Sequence, residues 1–227
     1  MSTRSPWTCI LWDVDGTIID ASEGILRRLR VTLEHFGHTA PQRDELAHWI
    51  GPPQFESFQT NVGMTPDESA AAVAFYRSLA RDEGYTAGAR LFPGVADLIR
   101  DVAAAGIPQA TASSKPEVQV VELMRHFGLT DDFRTLVGAT ADERTRASKA
   151  AVVAEALHRL TEAGVDVSRP VLIGDRHHDV EGAAEHGVPV IFVRWGFSWP
   201  HEADGAAAVV DDAAALRAAL LTEDDDA

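Results

Sequence analysis

A single cysteine, Cys9, stands among 227 residues. One thiol closes no internal disulfide, so no disulfide framework exists and a reducing, cytoplasmic location is expected. Cys9 lies in an apolar run and reads as a small core residue rather than a nucleophile. Long apolar runs are also missing. No stretch approaches the ~18–20 residues that span a bilayer, and Trp12 and Asp13 interrupt the first run too early for a secretory signal. No membrane partner is expected. Positive charge is scarce: 20 Lys and Arg stand against 35 Asp and Glu, a formal net charge of −15. A field of that sign repels nucleic acid and anionic lipid alike, so no nucleic-acid partner is expected either. It leaves room for a small anion, which answers to a local site. No internal repeat is visible, and the sequence says nothing of oligomeric state.

What is present is ordinary globular material, 45% hydrophobic and 24% charged. The length fits one domain with a sizeable insertion. Short apolar runs at 8–12, 107–112, 135–139, 171–174, 188–193 and 207–210 read as strands. Helical segments alternate with them, which predicts an α/β fold: a doubly wound parallel sheet covered on both faces. Ile25, Leu26, Leu29, Leu33 and Phe36 form an apolar stripe at helical spacing, with a capping box expected from Asp20 to Glu23. Thr65-Pro66-Asp67-Glu68 offers a capping Thr, a Pro at the first helical position and a Glu three residues after the cap, so a helix is expected to about residue 81. Further helices are expected at 94–105, 117–127, 148–163, 179–186 and 211–221. Between the first two strands lie about ninety residues with helical signals and no clear strand, where a β-α-β crossover needs ~30. A helical cap domain inserted at 18–90 is therefore expected, leaving 1–17 and 91–227 as the core domain. Gly51-Pro52-Pro53 is the expected break between its helices. The acidic run Glu223-Asp224-Asp225-Asp226 reads as a disordered tail.

In an open parallel sheet, ligands bind beyond the carboxyl ends of the strands. Asp13 and Asp15 follow the first expected strand, Ser113, Ser114 and Lys115 the second, and Asp175 and Asp179 the fourth. Each aspartate alone could be a turn or cap residue. Together, with Gly16 and Gly174 permitting close backbone approach, they read as a site. Clustered carboxylates repel unless a divalent cation sits between them, and Asp13 and Asp175 are placed to supply oxygens to one.

Asp13-Val14-Asp15-Gly16-Thr17-Ile18 resembles the first motif of the haloacid-dehalogenase-like hydrolase superfamily, and Gly174-Asp175-Arg176-His177-His178-Asp179 resembles its fourth. Ser113 matches the second motif and Lys149 the third. The resemblance covers nearly the whole chain, in order, and Gly51-Pro52-Pro53, residues 111–116 and Leu91-Phe92-Pro93-Gly94 look most like phosphoglycolate-phosphatase-like members. It implies a Mg²⁺-dependent phosphatase acting on a small phosphorylated metabolite. Asp13 would attack phosphorus and Asp15 would serve the leaving group as acid. Ser113, Ser114 and Lys149 would bind the phosphoryl group. Asp13, Asp15 (through its carbonyl) and Asp175 would hold Mg²⁺, with Thr17 and Asp179 in support.

Asp15 separates phosphatases from the dehalogenases of this superfamily, which lack a second Asp there because a halide needs no proton. Lys115 competes with Lys149 as the phosphate lysine. His177 and His178 are expected to point apart and to leave the hard cation to oxygen ligands. Trp195 and Trp199 could border the substrate or cover the core. The family often carries a basic residue near Phe55; this sequence does not, which weighs against phosphoglycolate itself. Phosphoglycolate is still the default candidate that the resemblance implies, with nucleoside monophosphates and sugar phosphates close behind; a phosphomutase of the beta-phosphoglucomutase kind and, from another class, a phospho-accepting regulatory module also stay open.

Overall fold

A computed structural model describes residues 3–140, 145–146, 148–199 and 201–223. After the short strand β1 (Thr3–Arg4), β2 (Cys9–Trp12) enters the interior. β3 (Ile19–Asp20) follows, then α1 (Ser22–His35), α2 (Arg43–Ala47), α3 (Gln54–Val62) and α4 (Pro66–Glu83), and β4 (Arg90–Leu91) returns. Next come α5 (Val95–Ala104), β5 (Gln109–Thr111), β6 (Ser113–Pro116), α6 (Glu117–His126), β7 (Gly138–Ala139) and α7 (Lys149–Glu162). β8 (Pro170–Gly174), α8 (His177–Ala184), β9 (Val190–Val193), β10 (Ala208–Val210), α9 (Ala213–Leu220) and β11 (Thr222–Glu223) complete the order.

Five strands form one parallel sheet in the order β10-β9-β8-β2-β5. The register sets Trp12 beside Thr111 on one side and Ile173 on the other. Asp13, Ser113 and Asp175 therefore leave the sheet at one edge. Side chains alternate between two apolar layers, as strands covered on both faces require. Ile10, Trp12, Val171, Ile173, Ile191 and Val193 join one buried cluster; Cys9, Leu11, Leu172, Val190 and Phe192 join the other. Burial pushes the Cys9 thiol up to about 11, which keeps it protonated and inert.

The α1–α4 segment is not packed separately from the sheet. Leu46, Trp49, Ile50 and Phe58 belong to the same buried cluster as Ile10 and Trp12. Thr65 caps α4 as its sequence predicts: its hydroxyl accepts the Glu68 N–H and Glu68 accepts the Thr65 N–H.

Four expectations are corrected. β3 and β4 pair antiparallel, Ile19 with Leu91 and Asp20 with Arg90, where no strand was expected. Two-residue strands are too short to show a period. Asp20 forms no capping box; Ala21 is the N-cap of α1, and Asp20 accepts the Ser22 N–H at 3.0 Å. α8 starts at His177, two residues early, because Asp179 accepts backbone N–H groups from inside the first turn. The 135–139 strand divides into a bridge from Thr135 to Ala110 and the short β7, which pairs with β6. Asp224, Asp225 and Asp226, of the expected tail, lie outside the described residues. No helix among the described residues is long and apolar enough to cross a membrane.

Candidate active site

The site grows from the ends of β2 and β8, neighbours in the sheet. Asp13 is buried, and its N–H donates to the Ile173 carbonyl at 2.9 Å. The turn after it closes on Val14, whose carbonyl accepts N–H groups from Ile18 and Ile19. Gly16 makes that turn with φ +87°. A Cβ there would also overlap the Asp175 carboxylate, and so would one on Gly196. Asp175 is thus gripped between two backbones. It accepts the Phe197 N–H at 2.7 Å, and the Thr17 hydroxyl lies 3.4 Å away. Asp179 accepts the N–H groups of Asp175 and Arg176 at 3.1 and 3.0 Å.

Lys149 begins α7 and is buried. Its ammonium lies 2.7 Å from Asp13 and 2.6 Å from Asp179, and donates to the Ala112 carbonyl at 2.9 Å. Ser113 is buried, and its hydroxyl accepts the Lys115 N–H. Lys115 itself pairs with Asp15 at 2.8 Å. Both lysines weighed from the sequence are therefore present, on different aspartates. The other Asp15 oxygen, Oδ1, is buried with no hydrogen-bond partner among the described residues. A cavity of about 20 Å³ touches Asp13, Asp15, Ser113, Ser114 and Lys149. It adjoins one of about 60 Å³ that touches Asp15, Gln54, Tyr76, Lys115 and Gln119.

Charge is concentrated here with little water to screen it. Burial raises Asp13 above the usual carboxylate range although Lys149 opposes the shift. Burial raises Asp175 further, helped by Asp179 and Asp13. Asp15 is raised by burial against the pull of Lys115. Burial works to lower Lys149, but Asp13 and Asp179 outweigh it and hold the ammonium above its ordinary value. Asp13, Asp175 and Asp179 bring carboxylate oxygens within 4.8 Å of one another. An all-oxygen, partly unneutralised set of this kind fits a hard divalent cation. The Asp15 side chain stands outside that group, on Lys115.

His177 and His178 do not point apart. As the first two residues of α8 they hold their rings 3.8 Å apart at 40°. Burial and the neighbouring His177 lower His178 to about 4. With Glu181 the pair brings ligand atoms within 4.8 Å, but it sits at the positive end of a helix beside Arg176, which opposes a cation. Trp195 donates to the Thr17 carbonyl at 3.0 Å and so braces the first motif. Trp199 is 52% exposed and stacks on His48. Arg176, Glu202, Gly196 and Phe197 were not singled out from the sequence. Arg176 at least lies inside a motif that was; the others carry no local signal.

A parallel sheet with buried aspartates at the ends of two adjacent strands defines a class: α/β proteins that keep their chemistry at the crevice of the sheet. Within it, the chain belongs to the haloacid dehalogenase-like hydrolase family, whose model matches residues 10–193. Tyrosine-protein kinase PtkA of Mycobacterium tuberculosis is 37% identical over 188 residues, 83% of this chain and 62% of PtkA. The chain thus spans less than two thirds of that relative's length. A solved structure of PtkA superposes with a TM-score of 0.80 at 33% identity, covering 95% of this chain and 98% of that one. A 5'-nucleotidase of Pseudomonas aeruginosa is 35% identical over 188 residues, 83% of each chain. A plasmid-encoded phosphoglycolate phosphatase of Cupriavidus necator is 29% identical, covering 97% of this chain and 96% of that one.

Proposed function

We propose that the protein is a phosphatase of small phosphomonoesters that works with Mg²⁺ through an aspartyl-phosphate. The observation that carries this reading is the pairing of Asp13 with Lys149 at the cavity that Asp15 also touches. Asp13 attacks phosphorus and the bond to the leaving oxygen breaks. Asp15 gives that oxygen its proton, then takes one from the water that hydrolyses the intermediate. Ser113, Ser114 and Lys149 hold the phosphoryl oxygens. Asp13, Asp175 and the Asp15 carbonyl would hold the metal, with Thr17 and Asp179 fixing its surroundings. When bound, Mg²⁺ supplies positive charge to the transferring group. Residues 18–90 act as a cap that sheds water from the site. The nucleotidase and phosphoglycolate phosphatase relatives support a small phosphorylated metabolite as substrate: a phosphoglycolate-like ester, a nucleoside monophosphate or a sugar phosphate. The single buried thiol supports a cytoplasmic location.

The test is hydrolysis of p-nitrophenyl phosphate and a phosphomonoester panel. Turnover is expected with millimolar Mg²⁺ and is abolished by EDTA; activity that survives full chelation would refute the metal. Thermal unfolding checks the site independently. A cation that relieves the raised Asp13 and Asp175 carboxylates raises the melting temperature at neutral pH. An unchanged melting temperature would count against binding there.

The identity to PtkA favours a second reading, phosphoryl transfer from a nucleotide to tyrosine. Labelled ATP with a tyrosine peptide separates the two: a kinase labels the peptide, a phosphatase does not.

A further inference from the structure

Gly51, in a segment beyond the sheet, lines both cavities, and Pro52 and Pro53 line the larger one. One core side chain holds the stretch just before Gly51. Arg176, buried between Asp175 and Asp179 in sequence, donates to the Ile50 carbonyl through Nη1, with the His48 carbonyl 3.5 Å away. These carbonyls follow the C-terminus of α2, where intrahelical partners run out and a positive charge is welcome. The other edge of the guanidinium is clamped by Glu202, at 2.6 Å from Nε and 3.0 Å from Nη2. Glu202 is buried and also accepts the His177 N–H at 3.1 Å. Gly51 lets the segment come this close. A Cβ there would stand 3.1 Å from Arg176 Nη1, on a residue with φ +112°. A second contact lies beside the first: Trp199 stacks on His48 with ring centroids 3.2 Å apart. Trp199 and Glu202 share one turn, the Glu202 N–H donating to the Trp199 carbonyl.

The division of labour is physical. A buried guanidinium must be paired, and Glu202 does that wholly from the core side. The bonds to the α2 end therefore carry no charge-pairing duty. If the segment moves away, water can replace the two carbonyls while the ion pair stays whole. The contact is directional enough to fix the wall and cheap enough to release.

We propose that Arg176, clamped by Glu202, is a positioning residue that latches residues 48–53 over the site and so limits the size of the leaving group. This rests on the phosphatase reading. In the full chain with Mg²⁺, Arg176→Lys keeps the charge beside Glu202 but loses the planar fork that serves Glu202 and Ile50 together. Its KM for a small alkyl phosphate should rise about tenfold while the constants for p-nitrophenyl phosphate change less than about twofold, so discrimination between the two collapses. Hydrogen exchange at amides 48–51 should speed up, with β2 and β8 unchanged. Glu202→Gln should act in the same direction. Trp199→Ala, at a half-exposed position, removes the second contact should those variants fail to fold. Unchanged discrimination with a protected segment would overturn the latch. So would an equal loss of kcat on both esters with unchanged exchange, which would put Arg176 in the chemistry instead. If the wild-type protein hydrolyses no phosphomonoester, the phosphatase reading falls, and exchange alone still decides whether Arg176 holds the segment.

Discussion

Asp13→Asn removes essentially all turnover and leaves the fold in place. The substitution is isosteric, so β2 and its bond to Ile173 are undisturbed. Lys149 loses one partner but keeps Asp179 at 2.6 Å, so no buried ammonium is stranded. What goes is the nucleophile, since an amide cannot form the acyl phosphate. A fall on the order of 10⁴-fold or more in kcat is expected, as for other enzymes that lose the attacking group. Initial rates on p-nitrophenyl phosphate measure it, beside a melting curve and an acid quench that traps phosphorylated protein from wild type and none from the variant. A variant within tenfold of wild type would end the covalent route.

Asp15→Asn separates the two halves of the reaction. Proton transfer by a placed side chain is worth roughly 10²–10⁴-fold. Alkyl phosphates, whose alkoxide cannot leave unprotonated, should lose all of that. An aryl phosphate leaves without help, so its first transfer survives while hydrolysis of the intermediate stalls for want of a base. The expected signature is a burst of about one nitrophenolate per protein, then a slow phase. Asp15 is suited to the acid role because burial raises it, so it keeps its proton to higher pH than a free carboxyl. The alkyl phosphate rate should accordingly fall on the alkaline side as that proton is lost. Equal damage to both substrates, with no burst, would take the acid role from Asp15.

The carboxylates of the site were legible because their signal is local. Cys9–Trp12 is an apolar strand that ends in Asp13, and Pro170–Gly174 is another that ends in Asp175. Strand, polar break and glycine sit within a few residues of one another. The contacts that escaped are tertiary. Nothing near Arg176 announces Ile50, which lies 126 residues away, and nothing near Glu202 announces Arg176. The bond from Phe197 to Asp175 comes from a loop with no pattern to read. Lys115 against Lys149 could not be settled from spacing, because each reaches its own aspartate through the packed sheet. The start of α8 was misplaced for a simpler reason: Asp is common at a helix cap, and here it caps from within.

The sheet order has a consequence for how the molecule is made. β2 is the second strand synthesised and lies second from one edge of the five-stranded sheet, between β5 and β8. Its flank toward β8 stays uncovered until residues 170–174 have left the ribosome. Asp13 likewise waits for Lys149, 136 positions downstream, before its charge has a partner. Closing so long a loop is slow, and contacts of that range form late. A growing or truncated chain that stops short of β8 therefore exposes an apolar strand edge tipped with a lone carboxylate, the kind of surface that chaperones shield. Recovery of the Asp13–Lys149 pair on refolding is therefore expected among the late events, which a refolding time course read at that pair would check.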